Sequence, residues 1–156
     1  MRSKTSTWFE TKIQFEKMME DGMQKKVTEQ YVVDAVDFTE AEGAIIKEMQ
    51  SFVSGEMKVK AIKIAPYGEI FFSDIDTDDK FYKAKLQFIT IDEKSEKEKK
   101  SNVYYLVQAS SIEKARKYID ETMSESMIDY SIASITETPV MDVFEHKTTE
   151  KSKQSI

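Results

Sequence analysis

Lys12-Ile13-Gln14-Phe15 and, 73 residues later, Lys85-Leu86-Gln87-Phe88 are the stretches on which the fold turns. The match does not stand alone. Lys25-Lys26 returns as Lys99-Lys100, and Tyr31, Val33 and Ala35 return as Tyr105, Val107 and Ala109, now 74 residues on. Ala41, Ile45 and Met49 return at that same offset as Ala115, Ile119 and Met123. Ile62, Pro66 and Phe71 return as Ile135, Pro139 and Phe144, back at 73. Self-similarity at a near-constant spacing is read before any local pattern, because it says how many times one unit is built. This chain reads as one unit built twice.

Each copy has the same order of local signals. In the first, Phe9, Thr11, Ile13 and Phe15 alternate with Glu10, Lys12, Gln14 and Glu16, the period of a half-buried strand. Asp21-Gly22 marks a hairpin turn, since both residues tolerate positive φ. A second strand runs over residues 29–35. Asp37 is placed to cap a helix beginning near Phe38, with Glu40 in the reciprocal position. Phe38, Ala41, Ile45, Met49 and Phe52 form its apolar stripe, and Gly55 ends it. Residues 57–64 make a third strand, Pro66 and Gly68 break it, and residues 70–72 form a short edge strand. The second copy repeats this with strands over 82–88, 103–109, 130–135 and 140–144. Ser111 is its helix cap, and Ile112, Ala115, Ile119 and Met123 are its stripe. Its hairpin position holds the charged run 92–100, which reads as a solvated loop.

The fold class is therefore α+β: tandem β-β-α-β(β) repeats packed as one pseudo-twofold domain, with antiparallel sheet or sheets and both helices on one face. A single half buries too little apolar surface to stand alone, which argues for packing the two together. The expected boundaries are one domain over 1–146, with repeat one at 8–72, a linker at 73–80 and repeat two at 81–144. Residues 147–156 read as a disordered polar tail, and the first few residues as disordered too.

Composition narrows the chemistry. The 156 residues carry a net charge of −6, which favours solubility and works against non-specific binding to phosphate backbones. There is no cysteine, so disulfides, thiolate catalysis and cysteine-held zinc fall away. No apolar run approaches the length of a membrane span, and the N-terminus lacks the apolar core of a signal peptide, so the expectation is cytoplasmic with no membrane partner. The four glycines at 22, 43, 55 and 68 cannot form a phosphate cradle. The single histidine, His146, follows the last strand and has no thiol or second imidazole to work with. Asp74, Asp76, Asp78 and Asp79 imitate the start of a calcium loop. However, Asp79 stands where that loop needs glycine and Lys85 where it needs the bidentate glutamate, so the segment reads as a solvated acidic linker. No catalytic residue, metal site or cofactor follows from the sequence.

One constellation remains. Core residues match between repeats because packing holds them, but outward polar residues need not match. Lys12 and Gln14 nevertheless return as Lys85 and Gln87 on the strand face opposite the apolar stripe, with Lys58, Lys60, Lys83, Tyr104 and Leu106 expected on the same face. A basic face with amides and an exposed aromatic suits a protein partner or a nucleic-acid strand. The binding residues expected are Lys12, Gln14, Lys85, Gln87 and Tyr104. The methionines Met18, Met19 and Met23 cluster at the first hairpin, where they are expected to cover the end of the sheet.

Four longer strings then carry a family likeness: Ser6-Thr7-Trp8-Phe9-Glu10, Lys26-Val27-Thr28-Glu29-Gln30-Tyr31-Val32-Val33-Asp34-Ala35, Ala84-Lys85-Leu86-Gln87-Phe88-Ile89-Thr90 and Met141-Asp142-Val143-Phe144-Glu145-His146. Over residues 5–146 the chain resembles an uncharacterised domain family of gut anaerobes and of their phages and mobile elements. The resemblance implies no activity and no catalytic residues. Its setting raises nucleic-acid metabolism or interference with a host protein as roles. The expectation is a small non-enzymatic binding or adaptor protein with a protein partner, acting through the exposed sheet face or a sheet edge. A homodimer through Phe71-Phe72 or the strand at Val140 is a further arrangement. The alternatives are a phage or mobile-element nucleic-acid-binding accessory protein using the Lys/Gln face, and a carboxylate-based enzyme.

Overall fold

The computed structural model describes residues 1–146; the expected tail at 147–156 lies outside the described residues. The elements in chain order are β1 (Arg2–Thr5), β2 (Trp8–Met18), β3 (Gln24–Asp34), α1 (Phe38–Met49), β4 (Met57–Ile64), β5 (Glu69–Phe72), β6 (Lys80–Ile91), β7 (Glu98–Ala109), α2 (Ile112–Met123), β8 (Asp129–Glu137) and β9 (Val140–Phe144). The class is α+β, as the two β-β-α-β patterns imply.

The chain forms two compact units, and neither is a continuous half. One contains Met1–Thr5 and Pro66–Thr138, the other Ser6–Ala65 and the segment from Pro139 onward. The five-stranded unit has the sheet order β1-β5-β7-β6-β8, and the four-stranded unit β4-β2-β3-β9. Each repeat therefore places its last short strand in the sheet of the other repeat: β5 pairs with β7, and β9 pairs with β3. The repeats at 8–72 and 81–144 are continuous in sequence but not in space.

The exchanged strands run parallel to the hairpin strands they join, β5 to β7 and β9 to β3, so the sheets are mixed and not antiparallel throughout. The reason is connectivity. A tight turn forces antiparallel pairing, whereas a strand arriving by a long path is free to pair parallel. The hairpins β2–β3 and β6–β7 are antiparallel, and β5 and β9 reach their partners by long connections.

Within each unit the duplication reaches backbone detail. In both, the pairing slips by one residue at the same place: Lys12 faces Ala61 and Ile13 faces Val59, while Lys85 faces Ser134 and Leu86 faces Ile132. The extra residues, Lys60 and Ala133, are themselves repeat counterparts. A bulge adds a residue to one strand and increases its twist. The turns explain the change of offset. The first hairpin closes between Met19 and Met23, with Gly22 at φ +82°. The second closes between Asp92 and Lys97, one residue longer. That second segment is a hairpin, not the expected solvated loop. Asp92 organises it by accepting from the Lys94 N–H and the Ser95 hydroxyl, and Glu96 takes the left-handed position at φ +57°. Asparagine, aspartate and glycine are the usual residues for such turns, and here a carboxylate turn replaces glycine.

Both caps form as read. Asp37 accepts from the Glu40 N–H at 2.8 Å and Ser111 from the Lys114 N–H at 3.2 Å. Beneath α1 lie Phe9, Ile13, Phe15, Tyr31 and Val33; beneath α2 lie Tyr82, Ala84, Leu86, Tyr105 and Val107. Of the expected stripes the helices bury Ala41, Ile45 and Met49 and Ala115, Ile119 and Met123, whereas Phe38 and Ile112, each the first residue of its helix, are exposed.

Several expectations are corrected. Residues 2–5 are strand β1, not disordered. Residues 70–72 lie in an interior strand between β1 and β7, not at a sheet edge, and Phe71 and Phe72 are buried. Helix α1 stops at Met49 with Gln50 as its C-cap, well before Gly55. The chain then turns so that Val53 joins the core and Phe52 is left 73% exposed. Leu106, expected on the outward face, is fully buried.

Candidate functional site

The five residues expected to bind fall on two different sheets. Lys12 and Gln14 lie in β2 of the four-stranded unit, where Lys12 faces Gln30 and Gln14 faces Thr28 on β3. Lys85, Gln87 and Tyr104 lie in the five-stranded unit. There Lys85 is directly opposite Tyr104, and the Gln87 amide donates to Asn102 Oδ1 at 3.4 Å. Lys83 lies with Nζ 5.0 Å from the Tyr104 ring centroid, within cation–π range. The trio is thus a local cluster on one sheet and the pair a separate one on the other. Gln14 also borders an open groove of about 950 Å³ with Lys26, Lys58, Glu16 and Glu56, where opposite charges are mixed.

A second groove in the four-stranded unit, of about 530 Å³, is apolar with an acidic rim. Its apolar lining comes from Phe15, Met18, Tyr31, Met49, Phe52, Met141 and Phe144, and its carboxylates from Glu16, Glu29 and Asp142. The lining is built by the exchange of β9. Phe144 stacks on Tyr31 with ring centroids 5.4 Å apart, and Met141 and Asp142 arrive on the same strand. The phenol of Tyr31 donates to Glu29 at 2.8 Å, and Lys17 pairs with Glu29 at 3.2 Å. Burial, then the neighbouring Glu29 carboxylate, pushes the Tyr31 phenol well above its ordinary range, so it stays a neutral donor. Met18, Phe52 and Met141 are 64%, 73% and 50% exposed, an uncommon concentration of large apolar side chains in water. Met18 therefore belongs to an exposed groove rather than acting only as a cover for the sheet end. Sequence reading missed the groove because β9 comes from the far end of the chain. The one local signal was Phe52, two residues beyond the helix cap.

The acidic linker also departs from expectation. Asp78 is 1% exposed. Its Oδ2 accepts from Ser73 Oγ and from the Tyr118 phenol, each at 2.5 Å, and Lys114 Nζ lies 3.9 Å from Oδ1. Burial alone pushes this carboxyl up, but the two hydroxyls, Lys114 and Ser110 together outweigh it and hold it below the ordinary range. The Tyr118 phenol is pushed up by its bond to Asp78 and then by burial. The cluster pins the connector between β5 and β6 onto α2. Among the described residues no group of three or more His, Asp or Glu side chains is arranged to hold a metal ion. Among them, too, no helix is long and apolar enough to cross a membrane.

Fold and surface together define a two-unit α+β repeat protein with exchanged strands and an acid-rimmed apolar groove. The chain belongs to a family of domains of unknown function, DUF4494, whose model matches residues 7–146. No curated protein and no solved structure matches it.

Proposed function

We propose that this chain is a small non-enzymatic binding protein that works inside the cell, and that it holds a protein partner in the groove bordered by Met18, Phe52 and Met141. The observation that carries the reading is Phe52, 73% exposed beside two exposed methionines over an aromatic floor. Flexible, polarisable methionines suit a surface that adapts to another protein. The carboxylate most firmly held in a charged state, Asp78, has a side chain closed to solvent, which favours a structural task over acid–base work. A photo-crosslinking residue at position 52, introduced in the native host, is expected to give a discrete protein adduct. The same probe at exposed Glu42 on α1 should not. An adduct pattern no different from that at position 42 would sink the reading.

A second reading is supported by the Lys83, Lys85 and Tyr104 cluster: a nucleic-acid accessory role, in keeping with the phage and mobile-element setting that the family resemblance suggests. Basic groups beside an aromatic ring are the parts of a single-strand binding platform. Salt-steep binding of a labelled single strand, lost in the Lys83→Glu, Lys85→Glu double variant, would support it. No binding at low salt would end it.

A further inference from the structure

We propose that Met18 and Met141 form a peroxide-sensitive modification site, at which oxidation of the two thioethers to sulfoxides turns the groove polar and closes it to apolar occupants. The proposal rests on the groove reading above and adds its regulation.

The repeat separates two kinds of methionine. Met49 and Met123 are counterparts, 2% and 7% exposed, and each belongs to the core of its own unit. Packing accounts for both. Met18 and Met141 have no such match, since their counterparts at the offset of 73 are Ile91 and Gly68. Phe52, which stands with them at the groove, corresponds to Ser126. The Phe52 N–H donates to the Met49 carbonyl at 3.0 Å, and the Ser126 N–H donates to the Met123 carbonyl at 3.0 Å. The strands, the hairpin and the helix end of this region are thus built twice. Only the four-stranded unit places two thioethers and an aromatic ring on them.

Access follows from position. Met18 is the last residue of β2 and Met141 lies in β9, so strands far apart in sequence bring the two side chains to one groove, with Phe15, Tyr31, Phe52 and Phe144. Met18 is 64% exposed and Met141 50%. Met49 lines the same groove but is closed off in the core. A dissolved oxidant therefore reaches the outer pair before the inner residue. The chain has no cysteine, so none of its own thiolates competes for the oxidant.

The oxidant is hydrogen peroxide. A thioether lone pair attacks one peroxide oxygen, the S–O bond forms as the O–O bond breaks, and the departing hydroxide takes the proton left on the transferred oxygen, giving water. Sulfur loses two electrons and the peroxide gains them. Two thiols of a sulfoxide reductase reverse the step and end as a disulfide and water. The product is a polar, hydrogen-bond-accepting side chain where an apolar one stood. The rim carboxylates of Glu16, Glu29 and Asp142 accept when ionised and cannot donate to it, and the Tyr31 phenol already donates to Glu29. Covering a sulfoxide with an apolar occupant then costs its hydration without a matching bond from these groups.

The test uses the full chain and the neutral apolar dye N-phenylnaphthylamine, comparing each protein with itself before and after dilute hydrogen peroxide. Peptide mass spectrometry follows oxygen at each of the nine methionines. Met18 and Met141 should oxidise ahead of Met49 and Met123. Most of the dye fluorescence should be lost with them and return on treatment with methionine sulfoxide reductase and dithiothreitol. A Met18→Leu, Met141→Leu double variant, whatever its starting signal, should give the same signal before and after. A Met23→Leu, Met127→Leu double variant should lose its signal as the wild type does, because those residues are exposed but outside the groove lining. The proposal is overturned by any of four results. They are no dye uptake before oxidation, full fluorescence with both sulfoxides present, an equal loss in the Met18/Met141 variant, or a loss that tracks unfolding by circular dichroism. Absence of an adduct at position 52 with the dye response intact would remove the protein partner and leave this site standing. An adduct at position 52 that persists with both residues oxidised would remove this proposal alone.

Discussion

In the five-stranded unit the short strand β5 is flanked on both sides; in the four-stranded unit its counterpart β9 is flanked, among the described residues, by β3 alone. The two units otherwise match in strand order, hairpin, bulge, capped helix and buried stripe. The difference begins in a few residues. Arg2–Thr5 extends along β5, whereas its counterpart at 75–78 turns and buries Asp78. A repeated sequence therefore does not produce a repeated surface. Once one copy of a segment finds a better local partner, it no longer pairs with the strand that its counterpart covers. In the four-stranded unit β9 carries Met141 to the groove that exposed Phe52 and Met18 also line.

The largest effect is expected from cutting the chain between its repeats. A fragment ending at residue 80 retains β2–β4 but loses β9 and, with it, the Val140, Val143 and Phe144 packing on β3. It also keeps β5 without β7. We expect little fixed tertiary structure by near-ultraviolet circular dichroism until residues 81–156 are added in trans. A natively folded fragment would break the account of strand exchange.

The next test concerns equivalence. Ile13 and Leu86 are repeat counterparts, both fully buried. Ile13→Ala and Leu86→Ala should each cost about 2–5 kcal/mol in urea denaturation, the range for large-to-small core changes. Clearly unequal costs would mean that the two cores are less alike than their sequences.

Asp78 and its counterpart Thr5 should differ. Asp78→Ala leaves the Ser73 and Tyr118 hydroxyls without their acceptor and should cost about 1–3 kcal/mol, whereas exposed Thr5→Ala should change stability by about 0.5 kcal/mol or less. The pH dependence follows from the lowered carboxyl. Its contribution is fully present above the unfolded value near 3.8 and is lost as pH falls through the lower folded value. Thermal melts of wild type and Asp78→Asn should therefore converge in strong acid and separate above about pH 4. Curves that keep a constant separation would remove Asp78 as the lock.

The smallest effects are the caps. Asp37→Ala and Ser111→Ala should each cost about 1 kcal/mol, measured by the same denaturation. Unequal losses would point to differences at the helix starts that the shared geometry does not account for.

Much of this architecture was legible in residue order. The period-2 runs at Phe9–Phe15 and Tyr82–Phe88, the two caps and the central residues of the two apolar stripes are local signals, and each forms where it was read. The candidate site was only half legible. Lys85, Gln87 and Tyr104 do cluster, because they are neighbours across one hairpin. Joining them with Lys12 and Gln14 assumed one continuous face, whereas the two sets lie on separate sheets. The groove was not legible, since its Tyr31–Phe144 stack joins residues more than a hundred positions apart.

By itself the sequence determined the class, the duplication, the elements and the cores, because alternation, helical spacing and capping act over a few residues. Tertiary structure alone decided which sheet each short strand joins and which way it runs. Those outcomes depend on competition between distant partners for the same backbone hydrogen bonds. Val140–Phe144 reads as a strand in any context, but nothing within those five residues specifies that β3 is its neighbour.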